Sequence, residues 1–499
     1  MQISFEFLAV ICLILLACGN LIVGVVNDAV NFLSSAVGAK VAPTKVIMIV
    51  ASLGVICGAT FSDGIIEVAR KGIFTPSYFT LNEAIIIFTA VALADIILLD
   101  IFSSFGLPTS TTVSVVFELF GSALVFALWK MGSFSEAWEV INASSALKII
   151  SGILFSVVIA FFVGLVAQFI TRLFFTFNYH KTLRRWGFLW TGAALSFLTF
   201  YVLLIGGKHA SFMTPEMNAW ISSNSIGILV GGFVGFSLLS FVLIRLKVKI
   251  LKIIILLGTG ALAMAFAGND LANFIGVSVA GTHAFLGSDL SRTLPTPTWV
   301  LVIAGLILSV TIFVSKKART VINTSINLTS HKKNVVSQWK SNFVLEGIVN
   351  LVGYVFSFVP KRIRNWIAIR WESDGKDKDH AFDKVRACVN LIVSAALISY
   401  ATSQKLPLST TYVTFMVAMG TALADGAWGK ESASNRIMGV ITVIAGWFFT
   451  AFAAFTFAGI TVSVLYLTRI YGLVILMSFV TFTLYKLHHF HAKRILDKV

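Results

Sequence analysis

Residues 27–32 read Asn27-Asp28-Ala29-Val30-Asn31-Phe32, and residues 269–274 read Asn269-Asp270-Leu271-Ala272-Asn273-Phe274. Each stretch sets a carboxylate and two carboxamides inside otherwise apolar sequence. An ionisable side chain at membrane depth costs roughly 3 kcal/mol without a partner, so one copy already calls for an explanation. Two copies define an internal repeat. A second motif keeps the same order: Gly106-Leu107-Pro108-Thr109-Ser110-Thr111-Thr112 returns as Lys405-Leu406-Pro407-Leu408-Ser409-Thr410-Thr411. Small-residue stretches follow both, Gly121-Ser122-Ala123-Leu124 and Gly420-Thr421-Ala422-Leu423. The spacing between the two motifs is longer in the second half, and the excess falls in one hydrophilic insertion after Val314. The halves are otherwise collinear.

Composition fixes the solvent in which these motifs work. The 499 residues are 57% hydrophobic and 12% charged, with a mean hydropathy of +0.91; soluble domains carry about a quarter charged residues. Stretches of about 20 apolar residues recur along the chain, each long enough to cross the hydrocarbon as a helix. The two-residue alternation of a membrane barrel is absent, so helices must satisfy the backbone. Phe5 to Ala17 is apolar, and no Lys or Arg precedes Lys40, which predicts a retained first helix and no cleaved signal. Cys12, Cys18, Cys57 and Cys388 lie in apolar segments without metal spacing and are expected to be packing residues. A net charge of +16 suggests nucleic acid in a soluble protein. Here the bases sit between hydrophobic segments, which makes them orientation signals and excludes nucleic acid as the partner.

The positive-inside rule threads the chain consistently. Arg172, Lys181, Arg184 and Arg185 mark one inside loop, and Arg245, Lys247, Lys249 and Lys252 the next. Lys316, Lys317 and Arg319, then Lys493 and Arg494, fall on the same side. Arg70 and Lys71 are a local violation. The expected fold is an all-α polytopic membrane protein with two inverted-topology repeats and roughly 12–13 membrane segments, including broken helices or re-entrant hairpins. The first segment, 4 to 37, is expected to be broken. An odd number of crossings separates the two halves, which is what inverts the second. The predicted organisation is a first repeat over 1–175, central connecting transmembrane helices over 176–247, and the first part of the second repeat over 248–314. A basic cytoplasmic insertion over 315–383 carries an interfacial helix, Phe343 to Val359, and residues 384–499 complete the second repeat. The inner cell membrane is the expected location, with the large basic loop cytoplasmic.

The chemistry follows from the side-chain types. Carboxylate, carboxamide and hydroxyl oxygens are the ligand set of a hard cation, so Asn27, Asp28 and Asn31 with Asn269, Asp270 and Asn273 are the candidate cation ligands. Sodium at Asp28 and Asp270, or a proton, is the expected occupant; Asn and Asp capping broken helices is the alternative. Pro-x-Ser-Thr-Thr reads as a helix start, and helix N-termini bind oxyanions through free N–H groups. Ser110, Thr111, Thr112, Ser409, Thr410 and Thr411 are therefore the candidate substrate residues; hydroxyls serving as interhelical glue are the alternative. Asp95, Asp100, Glu118 and Asp425 are further membrane-level acids with pairing to polar neighbours as the expected role. His488-His489-Phe490-His491 is read as interfacial anchoring where the last helix leaves the membrane.

The paired Asn-Asp and Pro-x-Ser-Thr-Thr motifs resemble the inorganic phosphate transporter (PiT) family across both halves. Leu406 to Tyr412, followed by Ala424-Asp425-Gly426-Ala427-Trp428, resembles its bacterial branch. The resemblance implies a non-enzymatic symporter importing inorganic phosphate with sodium or protons, without a cofactor, by alternating access around a midplane site, and often as a homodimer. It places the anion near the Ser-Thr-Thr hydroxyls and the cations near the Asn-Asp segments. Val113 stands where many members carry His, and residues 46 to 61 lack the acid of animal members. Sulfate or another tetrahedral oxyanion remains the alternative substrate. An ion channel leaves the duplicated motifs unexplained, and a membrane enzyme lacks a paired nucleophile and base.

Overall fold

The computed structural model describes residues 4–60, 62, 73–209, 213–288, 296–329, 371, 383–406, 408–426 and 430–496. The hydropathy translates directly into helices. In the first half these are α1 Phe5–Gly38, α2 Thr44–Thr60, α3 Leu81–Phe105, α4 Thr111–Met131 and α5 Ala143–Phe174. Two central helices follow, α6 His180–Thr199 and α7 Ser225–Arg245. The remainder is α8 Ile250–Phe285, α9 Thr298–Val314, α10 Lys316–Thr329, α11 Lys384–Ser403, α12 Thr410–Ala424, α13 Lys430–Thr468 and α14 Ile470–Leu496. By length and composition ten helices can cross a membrane; α9 and α10 form a further pair bent by 74°, and α2 and α12 are shorter apolar helices. The chain is a multi-pass membrane protein.

Local sequence sets the helix ends that matter. Thr80 and Glu83 close a capping box at the start of α3, with Glu83 N donating to Thr80 Oγ1 at 3.3 Å and Thr80 N to Glu83 Oε2 at 2.8 Å. Gly106, at φ 69°, ends α3 in the left-handed region that only glycine adopts without cost. Ser110 and Ser409 then cap α4 and α12. Chain direction thus reverses at one turn in each half, immediately before the hydroxyl triplets.

Packing relates the two halves. α1 lies on α8; α3 packs on α1 as α11 packs on α8. α4 packs on α13 and, correspondingly, α12 packs on α5. Glycine permits both of these contacts. A Cβ on Gly121 would collide with the Phe455 carbonyl, and one on Gly420 with the Phe161 carbonyl. α6 and α7 pack chiefly on each other, and α7 buries only Ser237 and Ser240. Its exposed apolar side chains, such as Leu238 and Val242, are what a lipid-facing helix requires.

Several expectations need correction. The first segment is not broken: α1 is one 34-residue helix, and Asn27, Asp28 and Asn31 lie buried within it. The reason is that their polar groups are satisfied by neighbouring elements, so their own helix need not open. Arg172 is not a loop marker. It is fully buried, with Nη2 2.6 Å from Asp383 Oδ2 and Nε 2.8 Å from Asp425 Oδ1, and it joins the end of α5 to the start of α11 and the end of α12. Among the cysteines only Cys388 is buried, while Cys18 and Cys57 are exposed on apolar surface. The insertion begins inside the fold, since α10 packs on α1 and buries Ala318, Val321 and Ile322. Phe343 to Val359, Arg70, Lys71 and Pro407 lie outside the described residues.

Candidate functional site

All twelve motif residues converge where α1 and α8 meet the N-termini of α4 and α12, in two layers. The outer layer holds the turns. Asn27 Nδ2 donates to Leu107 O at 3.2 Å and to Ser103 Oγ at 3.3 Å, while its Oδ1 accepts from Thr109 N at 2.9 Å. Asn269 holds the second turn in a related way: with its amide oriented to satisfy its neighbours, it accepts from Thr402 Oγ1 at 3.0 Å and donates to Leu408 O at 3.2 Å. Ser103 and Thr402 occupy equivalent positions before the two turns. Ser110 and Ser409 belong to this layer too, accepting from Val113 N at 3.2 Å and Tyr412 N at 3.1 Å. Asn27 thus holds the turn before α4, in another element, and does not cap its own unbroken helix.

The inner layer is a reciprocal exchange between halves. Asp28 accepts from Thr111 Oγ1 at 3.0 Å, in its own half, and from Thr411 Oγ1 at 3.2 Å, in the other. Asp270 accepts from Thr410 Oγ1 of its own half and from Asn273 Nδ2 at 3.2 Å. Asn273 Nδ2 also reaches Thr112 Oγ1 of the first half at 2.9 Å, and Asn31 Nδ2 reaches Thr411 and Thr410 Oγ1 of the second at 3.0 and 3.2 Å. Exchange of equivalent contacts in both directions is the pattern of a local twofold relation. Asp28 and Asp270 are fully buried and within electrostatic range of one another. Their described hydrogen-bond partners are hydroxyls and a carboxamide, not Lys or Arg. A cavity of about 20 Å³, room for a single water, lies beside Asn31, Thr411 and Thr414.

The further acids separate into two kinds. Asp100 meets Lys317 Nζ at 2.6 Å, and Asp425 is gripped by Arg172 with Gln168 Nε2 at 2.7 Å, so both pair as expected. Asp95 and Glu118 do not pair with a base. Glu118 Oε1 accepts from Ser114 Oγ at 2.8 Å, and both acids are buried with no Lys or Arg among their described partners. Asp95 lies within electrostatic range of Glu118 and of Asp28. His491 faces Thr320 Oγ1 at 3.2 Å. Arg386, unmarked in the motif reading, is buried on α11, donating to Thr421 Oγ1 at 3.2 Å and Ala418 O at 2.8 Å. Thr421 in turn donates to Asn390 Oδ1 at 2.6 Å, and Asn390 lines the small cavity. The available signal was an arginine one residue inside an apolar run.

A provisionally named phosphate permease of Thermococcus kodakarensis is 28% identical over 300 residues, which is 56% of this chain and 68% of the relative. One of Pyrococcus abyssi is 29% identical with the same coverage. A solved structure described as the sodium-dependent phosphate transporter superposes with a TM-score of 0.66 at 17% identity, covering 92% of this chain and 99% of its own, and shows the same fold. The sequence profile of the phosphate transporter family matches residues 24–332, which contain both Asn-Asp motifs and the first hydroxyl triplet. The chain belongs to the phosphate transporter family, a family of transporters and not of enzymes.

Proposed function

We propose that this transporter imports inorganic phosphate by symport with sodium, with the anion held between the N-termini of α4 and α12 and the cations held at Asp28 and Asp270. The observation that carries this reading is how two buried carboxylates bond into the triplets: Asp28 accepts from a hydroxyl of each, and Asp270 accepts from Thr410 and is joined to Thr112 through Asn273. Thr111, Thr112, Thr410 and Thr411, with Ser110 and Ser409 framing the helix starts, offer an oxyanion hydroxyls and N-terminal N–H groups. An anion there faces two carboxylates. Unit like charges about 4 Å apart repel by about 4 kcal/mol at an effective dielectric constant of about 20, so the anion binds only if cations bind with it. Hydroxyl oxygens of Thr111 and Thr411 at Asp28, and of Thr410 at Asp270, add neutral ligands beside each carboxylate, which suits sodium. The similar fold of a sodium-dependent phosphate transporter supports the same ion.

In this reading residues 1–175 and 248–499 form inverted repeats joined by 176–247, and alternating access moves one set of helices against the other around the shared site. The matched packing of α4 on α13 and α12 on α5 supports it. The basic loops are cytoplasmic in the inner membrane, and the assembly is a homodimer. A proton as the coupling ion is the second reading, supported by the buried acids Asp95 and Glu118, which have no described basic partner, with Asp95 in electrostatic range of Asp28. Uptake of labelled phosphate into proteoliposomes, with sodium and proton gradients imposed separately and sulfate and arsenate as competitors, tests both readings. Uptake indifferent to either gradient would remove the coupling scheme, and preferred competition by sulfate would remove the substrate.

A further inference from the structure

Outside the central site, a polar cavity of about 1160 Å³ is bounded by the end of α1 and the ends of α6, α7, α8 and α11. Nine Lys and Arg side chains line it, among them Lys181, Arg184 and Arg185 of α6, Lys247, and Lys249 and Lys252 at the start of α8; among its described lining residues there is no Asp or Glu. Orientation of the chain requires basic residues on one side of the membrane, but it does not require them to converge in one cavity without counter-charge. Like charges so placed repel one another, and a polyanion removes that cost.

Three further observations point to such an anion. α6 and α8 begin at this cavity, neither N-terminus is closed by a side-chain cap, and the positive ends of both helix dipoles therefore lie at it. Lys40 and Lys247, both lining residues, hold the left-handed backbone at φ 45° and 58°, where glycine is the unstrained choice. The cations are kept there at a conformational cost. The opposite wall is apolar, built from Leu183, Phe188, Phe241 and Ile244, with the Phe188 and Phe241 rings edge to face at 5.5 Å and Arg245 over Phe241 at 4.9 Å. From that wall the exposed apolar surface of α7 continues along the membrane span.

We propose that this cavity binds a multiply charged phosphate group, supplied by the headgroup of an acidic phospholipid whose acyl chains lie along α7. A soluble phosphate anion shares the basic floor and the helix N-termini but makes no use of the apolar wall. The site lies apart from Asp28 and Asp270, and its occupancy is independent of the transport reading.

The test is thermal melting of the purified full chain in micelles of phosphatidylcholine alone, with a minor fraction of cardiolipin, or with soluble pyrophosphate. Co-purifying lipid is identified by mass spectrometry. Cardiolipin is expected to raise the melting temperature of the wild type, and phosphatidylcholine and pyrophosphate to leave it unchanged. The triple variant Arg184→Gln/Arg185→Gln/Lys249→Gln should bind cardiolipin roughly a hundredfold more weakly, as the loss of about three headgroup contacts predicts. Without acidic lipid it should melt at or above the wild-type temperature, because repulsion is relieved. Lys247→Gly removes one cation and the backbone strain together, so it should be more stable in phosphatidylcholine and gain less from cardiolipin. Equal stabilisation of wild type and variants by cardiolipin, or no stabilisation at all, overturns the proposal; stabilisation by pyrophosphate but not by cardiolipin overturns the lipid source.

Discussion

At the scale of single residues, the threonines that cross between halves are the most informative. Thr411→Val removes one of the two hydroxyl donors to Asp28, and Thr111→Val removes the other. A hydrogen bond to a charged group contributes about 1.5–3 kcal/mol, so each change should weaken the apparent sodium affinity of phosphate uptake roughly tenfold to a hundredfold. Thr→Ser at the same positions should retain it. Sodium titrations of uptake indistinguishable from wild type would separate Asp28 from the coupling site. Arg172 makes a different prediction. Arg172→Met takes the Arg172 charge and its hydrogen bonds from the buried Asp383 and Asp425, a loss of about 3–5 kcal/mol that thermal melting in detergent will show. Arg172→Lys should not restore stability, because an ammonium cannot reproduce the fork that spans both oxygens of Asp425.

Helices and turns tell a second story, about close approach. Gly121 and Gly420 admit the backbones of α13 and α5, so Gly121→Leu and Gly420→Leu should each cost about 1–3 kcal/mol and lower the yield of monodisperse protein. Gly152 on α5 has nothing within 4 Å of an added Cβ, so Gly152→Ala should gain about 0.5–1 kcal/mol of helix stability and serves as the control. Both glycines belong to stretches that the internal repeat already marked, and the serine caps of α4 and α12 were readable from Pro-x-Ser-Thr-Thr alone. What could not be read was which helix each motif would serve. Asn27 looks like a cap for its own helix because local hydrogen bonding is all that a linear pattern reveals, and yet its partners are Leu107 and Thr109. Arg172 looks like an orientation signal for the same reason: its partners are remote in sequence. Asp95 and Glu118 looked like Asp100 and Asp425, and only burial together with partner geometry separates the two pairs.

For the whole molecule, hydropathy and basic loops were sufficient to predict a helical membrane protein, since both depend on composition alone. The proposed threading carries its own test. A cysteine introduced at Lys332, in a chain freed of native cysteines, should react with a membrane-impermeant maleimide only from the cytoplasmic face, and labelling from outside would overturn the proposed orientation. The exchange of threonines across the two halves also has a consequence for kinetics. Both carboxylates are tied to both halves, Asp270 through Asn273, so in the proposed reading filling one cation position reorganises hydroxyls that the other position shares. Two ions that meet such a centre cannot bind independently. Phosphate uptake should therefore rise sigmoidally with sodium concentration, with a Hill coefficient above one, and Asn31→Ala, which removes a bridging carboxamide without removing a charge, should flatten the curve towards a hyperbola.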